Sequence, residues 1–221
     1  MAERNDRIWR LLFYFKEIAM NTKQQQWEAV YDRVDLPWTK NPLPTDVIEE
    51  FISRFKTGDR ILDYGCGDGW ITELLMGKGL AVVGSDISDK ALQLAKQKMP
   101  ELEVKRADRP SEFSGEAFDG ILSWGVMHHI PREEWETYME EYYGILTSGG
   151  TLLISGHSRR DEEFKEGFRI SPTTKEVSHA VDEIGDLGKR TGFTLEKEGY
   201  FEFDEAFTDH KRALRYFFLR K

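Results

Sequence analysis

The amino-acid sequence predicts an α/β fold in which a doubly wound, mostly parallel sheet carries helices on both faces. Short apolar runs alternate with amphipathic helical patterns over most of the chain, and a glycine-rich loop separates the first run from the helix behind it. Near the C-terminus two apolar runs follow each other across a turn, which favours an antiparallel hairpin at the end of the sheet.

The individual elements are predicted in order along the chain. Residues 22–31 have a helical pattern, and the proline-containing stretch 35–44 is predicted to be ordered but irregular. Thr45 is the predicted N-cap of the next helix, because acidic residues occupy the first turn behind it. The core is then predicted as strand 60–64, helix 70–76, strand 81–85, helix 90–98, strands 103–106 and 120–123, helix 132–144, strand 151–155, helix 174–190, and strands 193–203 and 214–219.

Composition favours a single water-soluble domain. The chain has 221 residues, of which 39% are hydrophobic and 32% are charged. We expect residues 1–44 to form an N-terminal helical extension that acts as a lid, and residues 45–221 to form the α/β core. The net charge of −9 disfavours a nucleic-acid partner, because affinity for phosphate backbones comes from Lys and Arg. One cysteine and no recognisable secretory signal favour a cytoplasmic location.

An apolar cluster near the N-terminus has two interpretations. Ile8, Leu11, Leu12 and Phe15 recur at helical spacing, which is typical of a docking helix or of the contact in a homodimer. Alternatively, translation normally starts at Met20 and the earlier residues are an accidental extension. The cluster is too short to cross a bilayer, so no membrane partner is predicted.

A glycine-rich loop follows the first strand of the predicted core. In the run ILDYGCGDG, residues 61–69, glycines let a ligand approach the backbone amides without obstruction by Cβ atoms. A dinucleotide-binding loop places its third glycine three residues after the second. Here Gly65, Gly67 and Gly69 occupy every second position, and Asp63 lies two residues before the first. This spacing argues against a nicotinamide-dependent dehydrogenase.

Four further motifs follow the loop in order. The second strand ends at Asp86, where a carboxylate can accept both hydroxyl groups of a ribose. The other three motifs are ADR at 107–109, AFDGILSWGVMHHIP at 117–131 and LTSGGTLLI at 146–154. Together the five motifs resemble those of class I S-adenosylmethionine-dependent methyltransferases. The resemblance implies a seven-stranded, Rossmann-like methyltransferase fold with an antiparallel C-terminal strand, and S-adenosyl-L-methionine as the cofactor.

The resemblance also implies a set of cofactor-binding residues. They are Asp63, Gly65, Cys66, Gly67, Gly69, Asp86, Ile87, Asp108, Arg109, Ser123 and Trp124. In this scheme Asp63 fixes the methionine end of the cofactor, Asp86 holds the ribose, and Asp108 with Arg109 flanks the adenine. Each acid also has a purely structural interpretation as a loop cap, a helix cap or a turn residue. No metal site is predicted.

A second resemblance concerns the segment before the core. The runs WEAVY at 27–31, LPW at 36–38 and PLP at 42–44 resemble the entry of the thiopurine and tellurite-resistance methyltransferases, where such a segment covers the cofactor. Thr39-Lys40 departs from that pattern, which usually carries an acid and a glycine there. The implied lid residues are Trp27, Tyr31 and Trp38. His157, in the loop after the fifth strand, is a further candidate for a lid or substrate contact, or for a base alongside the two histidines described next. Aromatic residues in such a segment also suit plain core packing.

Two adjacent histidines after the fourth strand are the candidate catalytic residues. His128 or His129 could act as a general base if the acceptor must lose a proton, and anchoring of the turn is the alternative. Methyl transfer by in-line displacement otherwise needs mainly positioning. The sequence therefore predicts methyl transfer to a small-molecule acceptor. Methylation of RNA or protein, and a non-catalytic scaffold that binds the cofactor, are the alternatives, and the sequence leaves the acceptor open.

Overall fold

The computed structural model describes residues 22–32, 36–171, 177–206 and 210–221, without the side chains of residues 37 and 38. The helices are α1 (Lys23–Tyr31), α2 (Thr45–Ile52), α3 (Thr72–Gly77), α4 (Asp89–Lys98), α5 (Trp135–Ile145) and α6 (Ile184–Arg190). The strands are β1 (Arg60–Tyr64), β2 (Ala81–Asp86), β3 (Glu103–Arg106), β4 (Phe118–Ser123), β5 (Leu146–His157), β6 (Phe168–Ile170), β7 (Val177–His179), β8 (Thr194–Asp204) and β9 (Lys211–Arg220). Short 3₁₀ helices occupy Pro37–Lys40, Pro110–Phe113, Met127–His129, Arg132–Glu134 and Glu162–Phe164.

Seven of these strands form one mixed sheet in the order β3-β2-β1-β4-β5-β9-β8. The five strands from β3 to β5 in this order pair in parallel, whereas β9 is antiparallel to both β5 and β8. The strand order reverses between β1 and β4, and ligands of doubly wound folds bind beyond the carboxyl ends of the strands at such a point. The predicted fold class is confirmed.

Both faces of the sheet are covered by apolar side chains. Alternate residues of β4 point to opposite faces, so Ile121 packs with Tyr142 of α5 on one side, while Leu122 belongs to the cluster of α2 and α3 on the other. Burial on both faces explains why the sequences of the central strands are nearly continuous apolar runs. Among the described helices, none combines the length and the apolar composition that a bilayer-spanning segment requires.

Two sequence predictions of local structure are wrong. The helix predicted at 174–190 begins only at Ile184, since Val177–His179 forms β7 and pairs with β6. Val177, Ser178 and His179 are modest helix formers, so tertiary pairing decides their conformation. Thr45 is the first residue of α2 and not its N-cap, which is Pro44 without a side-chain hydrogen bond. The apolar cluster predicted as a helix at 8–19 lies outside the described residues.

Candidate active site

A cavity of about 390 Å³ lies beyond the carboxyl ends of β1, β4 and β5 and is covered on one side by α1. Its volume is within the range of small-molecule sites. We call the part lined by Asp63, Gly65, Gly67 and Asp86 the loop end. The part lined by Trp124, His157, Phe201, Phe203 and Arg212 is the aromatic end. The two ends belong to one continuous space, so two bound molecules can meet in it.

The glycine loop requires its glycines for two reasons. Gly65 and Gly67 have positive φ angles of 79° and 58°, a region in which residues with a Cβ are strained. Space is also lacking, because a Cβ on Gly65 would lie 2.2 Å from the Val126 side chain and a Cβ on Gly67 would lie 2.6 Å from the Tyr31 hydroxyl oxygen. The second distance shows that α1 sits directly on the loop.

Asp63 is a buried carboxyl group at the loop end. Its Oδ2 accepts a hydrogen bond of 2.6 Å from the Thr72 hydroxyl. Burial raises the pKa of Asp63 to about 7, and the charge of Asp86 adds to this effect while the Thr72 hydrogen bond opposes it. No described residue donates a hydrogen bond to its Oδ1. Asp63 therefore presents a free acceptor oxygen to the cavity, and a nearby positive charge would favour its ionised form.

Asp86 ends β2 and faces the same space. Its two carboxylate oxygens accept hydrogen bonds from the backbone amides of Ser88, at 2.9 Å, and Gly67, at 3.0 Å. Burial raises the pKa of Asp86 to about 6, although these amides lower it. Ser88, and not Asp86, is the N-cap of α4. Each oxygen retains a second lone pair, so Asp86 can still accept hydroxyl groups of a ligand.

The loop end carries an excess of negative charge among the described residues. Asp68 is paired with Lys98, whereas neither Asp63 nor Asp86 has a cationic partner in the described part of the chain. Burial raises the pKa of the Tyr31 hydroxyl well above its ordinary value, and the charge of Asp86 adds to the effect. Such a surface suits a cationic ligand and repels a pyrophosphate group.

Glu28 joins α1 to the loop end, and sequence reasoning missed this residue. Its carboxylate accepts hydrogen bonds from the Ser88 hydroxyl at 3.0 Å and from the backbone amides of Asp89 at 2.8 Å and Lys90 at 3.1 Å. A carboxylate is favourable at these amides because the first turn of α4 leaves them unpaired and partly positive. No local pattern could have revealed the contact, since the residues lie 60 or more positions apart.

The aromatic end is lined by rings from two parts of the sheet. The Trp124 ring lies 6.1 Å from that of Phe201, which in turn lies 5.3 Å from that of Phe203. Phe201 and Phe203 are alternate residues of β8 and therefore face the same side of the sheet. Leu214 of β9 completes the apolar wall. These flat surfaces suit a planar organic molecule.

The two histidines predicted as catalytic candidates lie between the two ends. Burial lowers the pKa of His128 well below its ordinary value and lowers that of His129 to about 3, with the charges of neighbouring histidines adding to both effects. The Nδ1 atoms of both rings are buried and have no hydrogen-bond partner in the described part of the protein. The His129 ring contacts Trp27 edge-on at 4.9 Å. Burial thus disfavours the protonated form of both rings.

His157 differs from these two because it has a carboxylate partner. Its Nδ1 lies 2.9 Å from Oδ2 of Asp161, which is completely buried. Burial raises the pKa of Asp161, but the hydrogen bond to His157 and the charge of Arg212 outweigh this and hold it below its usual value. Arg212 is itself buried and binds Asp161, Glu163 and Glu205. One buried guanidinium group thus joins three carboxylates at the aromatic end.

The structure brings most of the predicted site residues to the cavity wall. Those lining it are Trp27, Tyr31, Asp63, Gly65, Cys66, Gly67, Asp86, Ile87, Asp108, Trp124, His128, His129 and His157. Three others have different surroundings. Arg109 is paired with Glu134 and Glu141. The Ser123 hydroxyl lies 3.0 Å from that of Tyr142 in the core. Gly69 packs against α4. The Trp38 side chain lies outside the described parts.

Sequence comparison supports the interpretation of the glycine loop and the motifs behind it. Residues 61–150 match the family model described as a methyltransferase domain. The ubiquinone biosynthesis O-methyltransferase of Dechloromonas aromatica (strain RCB) is 28% identical over 131 residues, which cover 56% of this chain and 54% of that protein. The matched part spans 54%, 64% and 56% of the length of three of the curated relatives.

Two solved structures illustrate the shared fold. The 1,6-didemethyltoxoflavin-N1-methyltransferase of Burkholderia thailandensis, bound to 1,6-didemethyltoxoflavin and S-adenosylhomocysteine, has a TM-score of 0.67 and 21% identity, covering 87% of this chain and 84% of its own. A TehB-like S-adenosylmethionine-dependent methyltransferase from Corynebacterium glutamicum ATCC 13032 Kitasato has a TM-score of 0.56 and 23% identity, covering 79% of this chain and 86% of its own.

The sheet order, the glycine loop and the family match point to the same kind of domain. Residues 61–150, within this sheet, match the model of a methyltransferase domain. Its cofactor is S-adenosyl-L-methionine, a nucleoside that carries a sulfonium and an ammonium group. The loop end fits this cofactor, since it offers the free oxygen of Asp63, the two carboxylate oxygens of Asp86 and an excess of negative charge.

Proposed function

We propose that this protein transfers a methyl group from S-adenosylmethionine to a small organic acceptor. One observation carries the proposal: Asp63 and Asp86, two buried carboxyl groups without cationic partners among the described residues, face the same cavity as an apolar aromatic wall. The first feature suits a cationic nucleoside, and the second suits a planar acceptor beside it. A cofactor with a pyrophosphate would meet like charge at the loop end.

Each group of the cofactor has a candidate partner in this chain. Asp63 would accept hydrogen bonds from the ammonium group, Asp86 would accept the ribose hydroxyls, and Ile87 with Asp108 would border the adenine. When bound, the cofactor supplies a methyl group on a positively charged sulfur. The chain's contribution is then to hold the acceptor in line with that methyl group and to exclude water, which accounts for much of the rate of such reactions.

Helix α1 has the place of a cover in this proposal. Tyr31 lies against the glycine loop, Trp27 contacts His129, and Glu28 binds the start of α4. A covering segment with Trp, Tyr and Pro-Trp is the feature by which the sequence resembles the thiopurine and tellurite-resistance group. The likeness in fold to the TehB-like methyltransferase of Corynebacterium glutamicum is compatible with membership of that group.

The size and charge of the cavity support a small acceptor. A volume of about 390 Å³ must hold the part of the donor that reacts and the acceptor together. The net charge of −9 opposes docking of a polyanion such as RNA. The relatives named above are an O-methyltransferase of ubiquinone biosynthesis and an N1-methyltransferase of 1,6-didemethyltoxoflavin, which are small-molecule enzymes.

Calorimetric titration of S-adenosylhomocysteine into the protein tests the proposal. We expect binding in the micromolar range and a loss of roughly thirtyfold in Asp86→Ala, because hydrogen bonds to a charged group contribute about 2 kcal/mol. Asp46→Ala is the matched control, since Asp46 is an exposed acid in the first turn of α2. Absence of binding to the unmodified protein, or equal affinity in Asp86→Ala, would contradict the proposal.

A further inference from the structure

We propose that His157, held by Asp161, is the general base of the reaction and that the acceptor is a planar aromatic molecule methylated on a hydroxyl group. The inference rests on the proposed function and specifies its substrate class. It arises from three features at the aromatic end: the His157–Asp161 pair, the flat apolar wall beside it, and the engagement of the nearby arginines with acids.

The hydrogen bond to Asp161 determines which nitrogen of His157 can take up a proton. A carboxylate accepts hydrogen bonds, so the Nδ1 atom that lies 2.9 Å from Asp161 Oδ2 must carry the hydrogen. The Nε2 atom then has a free lone pair. No hydrogen bond from a described residue occupies Nε2, and the ring lines the cavity with 19% of the side chain exposed. His157 is therefore oriented as a proton acceptor.

Asp161 is fixed by contacts on all sides. Its Oδ1 accepts from the Glu163 amide at 3.0 Å and from the Arg212 guanidinium at 3.3 Å. Its Oδ2 is shared between His157 and the amide of Ala213, which lies at 3.4 Å. The His157 ring also stacks on Phe164, with centroids 4.4 Å apart and planes 8° apart. The imidazole thus keeps one orientation without help from a ligand.

The position of His157 along β5 directs it to the reacting region. Ser155 and His157 are two residues apart and share one face of the strand. The Ser155 hydroxyl accepts a 3.0 Å hydrogen bond from the amide of Gly125, which lines the cavity between the loop end and Trp124. Ser155 thus binds the loop after β4, and His157, on the same face of β5, lines the cavity next to that loop.

Charged groups and further histidines surround His157 and Asp161. Besides Asp161, the groups near His157 are Glu163, Glu205, Arg169, Arg212, His128, His129 and His210. In this set Arg212 binds Asp161, Glu163 and Glu205, and Arg169 binds Glu163. His128 and His129 have no carboxylate partner of this kind among the described residues.

The surroundings also limit the chemistry of the acceptor. Arg169 and Arg212 are both engaged by acids, so no described guanidinium at the aromatic end remains for an acidic acceptor. A flat, uncharged ring suits the wall of Trp124, Phe201 and Phe203. A base is needed when the nucleophile holds its proton at neutral pH, as a phenol does, whereas an acidic thiol is already ionised.

The proposed step is balanced within the two substrates and His157. The hydroxyl proton passes to Nε2 of His157 while the hydroxyl oxygen forms a bond to the methyl carbon. The bond between that carbon and sulfur breaks, and its electron pair stays on sulfur, giving a thioether and a methyl ether. The imidazolium then releases its proton to solvent. No oxidant, reductant or metal ion takes part.

A matched pair of acceptors, phenol and thiophenol, tests the assignment. In His157→Gln we expect phenol methylation, followed as S-adenosylhomocysteine release, to fall by about a hundredfold, while thiophenol methylation changes by less than about twofold because the thiolate needs no base. Asp161→Asn should lower the phenol rate but not the thiophenol rate, because an asparagine amide can donate to Nδ1 of His157 and so leave the ring hydrogen on Nε2. His179→Gln is the control, since His179 packs on Trp135 outside the cavity.

A second measurement requires neither acceptor nor cofactor. Diethyl pyrocarbonate acylates unprotonated imidazole nitrogens, and peptide mass spectrometry locates the modified histidine. We expect His157 to react faster than His128 and His129, and Asp161→Asn to slow its reaction. Equal reactivity of the three histidines would overturn the assignment.

The kinetic outcomes also separate the two proposals. Equal losses with both acceptors in His157→Gln would show a structural role and overturn the inference. Methylation of thiophenol but of no phenol by the unmodified protein would overturn the substrate class. S-adenosylhomocysteine titration into His157→Gln should give unchanged affinity, whereas failure of the unmodified protein to bind it would refute the proposed function itself.

Discussion

The two ends of the cavity use carboxyl groups in opposite ways. At the loop end, Asp63 and Asp86 are buried without cationic partners in the described chain, and burial raises their pKa values to about 7 and about 6. At the aromatic end, hydrogen bonds and Arg212 hold the pKa of Asp161 below its usual value despite burial. Acids left unpaired can receive a cationic ligand, whereas paired acids build a rigid support.

Removal of Arg212 should have the largest effect on stability. Arg212→Met would leave Asp161, Glu163 and Glu205 close together without their shared cation, and we expect a loss of about 3 kcal/mol in the free energy of unfolding, as for other broken buried pairs. Urea unfolding measures this difference. Arg160→Met is the control, because Arg160 is mostly exposed and should change stability by less than about 0.5 kcal/mol. Similar losses in Arg212→Met and Arg160→Met would show that the ion pairs of Arg212 do not stabilise the fold.

At the loop end, removal of a charged group should stabilise the protein instead. Asp63→Asn should raise the stability of the ligand-free protein by about 2 kcal/mol near pH 8, because it removes a buried carboxylate. The folded-state pKa of Asp63 lies above its unfolded value, so ionisation destabilises the fold increasingly as pH rises from about 4 to about 7. The gain from the variant should therefore vanish at pH 4.

The same substitution should weaken binding of S-adenosylhomocysteine, since an amide attracts an ammonium group less than a carboxylate does. Thermal unfolding with and without this ligand measures both effects. If Asp63→Asn is less stable than the unmodified protein at pH 8, the Asp63 carboxylate does not destabilise the ligand-free fold, and this prediction is wrong.

The pH dependence of ligand binding should follow from the same two acids. An ammonium group needs ionised Asp63, so affinity for S-adenosylhomocysteine should be constant above about pH 7 and fall below it. The limiting slope is roughly tenfold for each pH unit per group. Calorimetry between pH 5 and 8 in buffers of different ionisation enthalpy would detect the protons released on binding. Binding that is independent of pH would refute this assignment.

The smallest effect is expected where α1 meets the loop end. Glu28→Gln removes the charge that faces the first turn of α4 while keeping one acceptor oxygen, and we expect a loss of about 1 kcal/mol in stability. A modest decrease in affinity for S-adenosylhomocysteine should accompany it, because α1 also carries Tyr31. Glu49→Gln on the exposed face of α2 is the control. An unchanged melting temperature in Glu28→Gln would show that the contact has no stabilising effect.

Much of the fold was predictable because it depends on local periodicity. The central strands and most helices lie within a few residues of their predicted bounds, since apolar alternation and helical spacing are properties of short segments. The error at 174–190 arose where a short segment with modest helix propensity pairs with β6. Strand pairing of that kind is a long-range choice, which a local pattern does not contain.

In the candidate site, too, some features depend on the local sequence and others on long-range contacts. The sequence by itself determined the fold class, the glycine loop, and the positions of Asp63 and Asp86 at the ends of two adjacent strands, because strand ends and glycine spacing are local features. Only the tertiary structure decided which acids stay unpaired. Arg212 reaches Asp161 across 51 positions, and Arg109 is drawn to Glu134 and Glu141. Charges act through space, so their partners depend on how the chain folds.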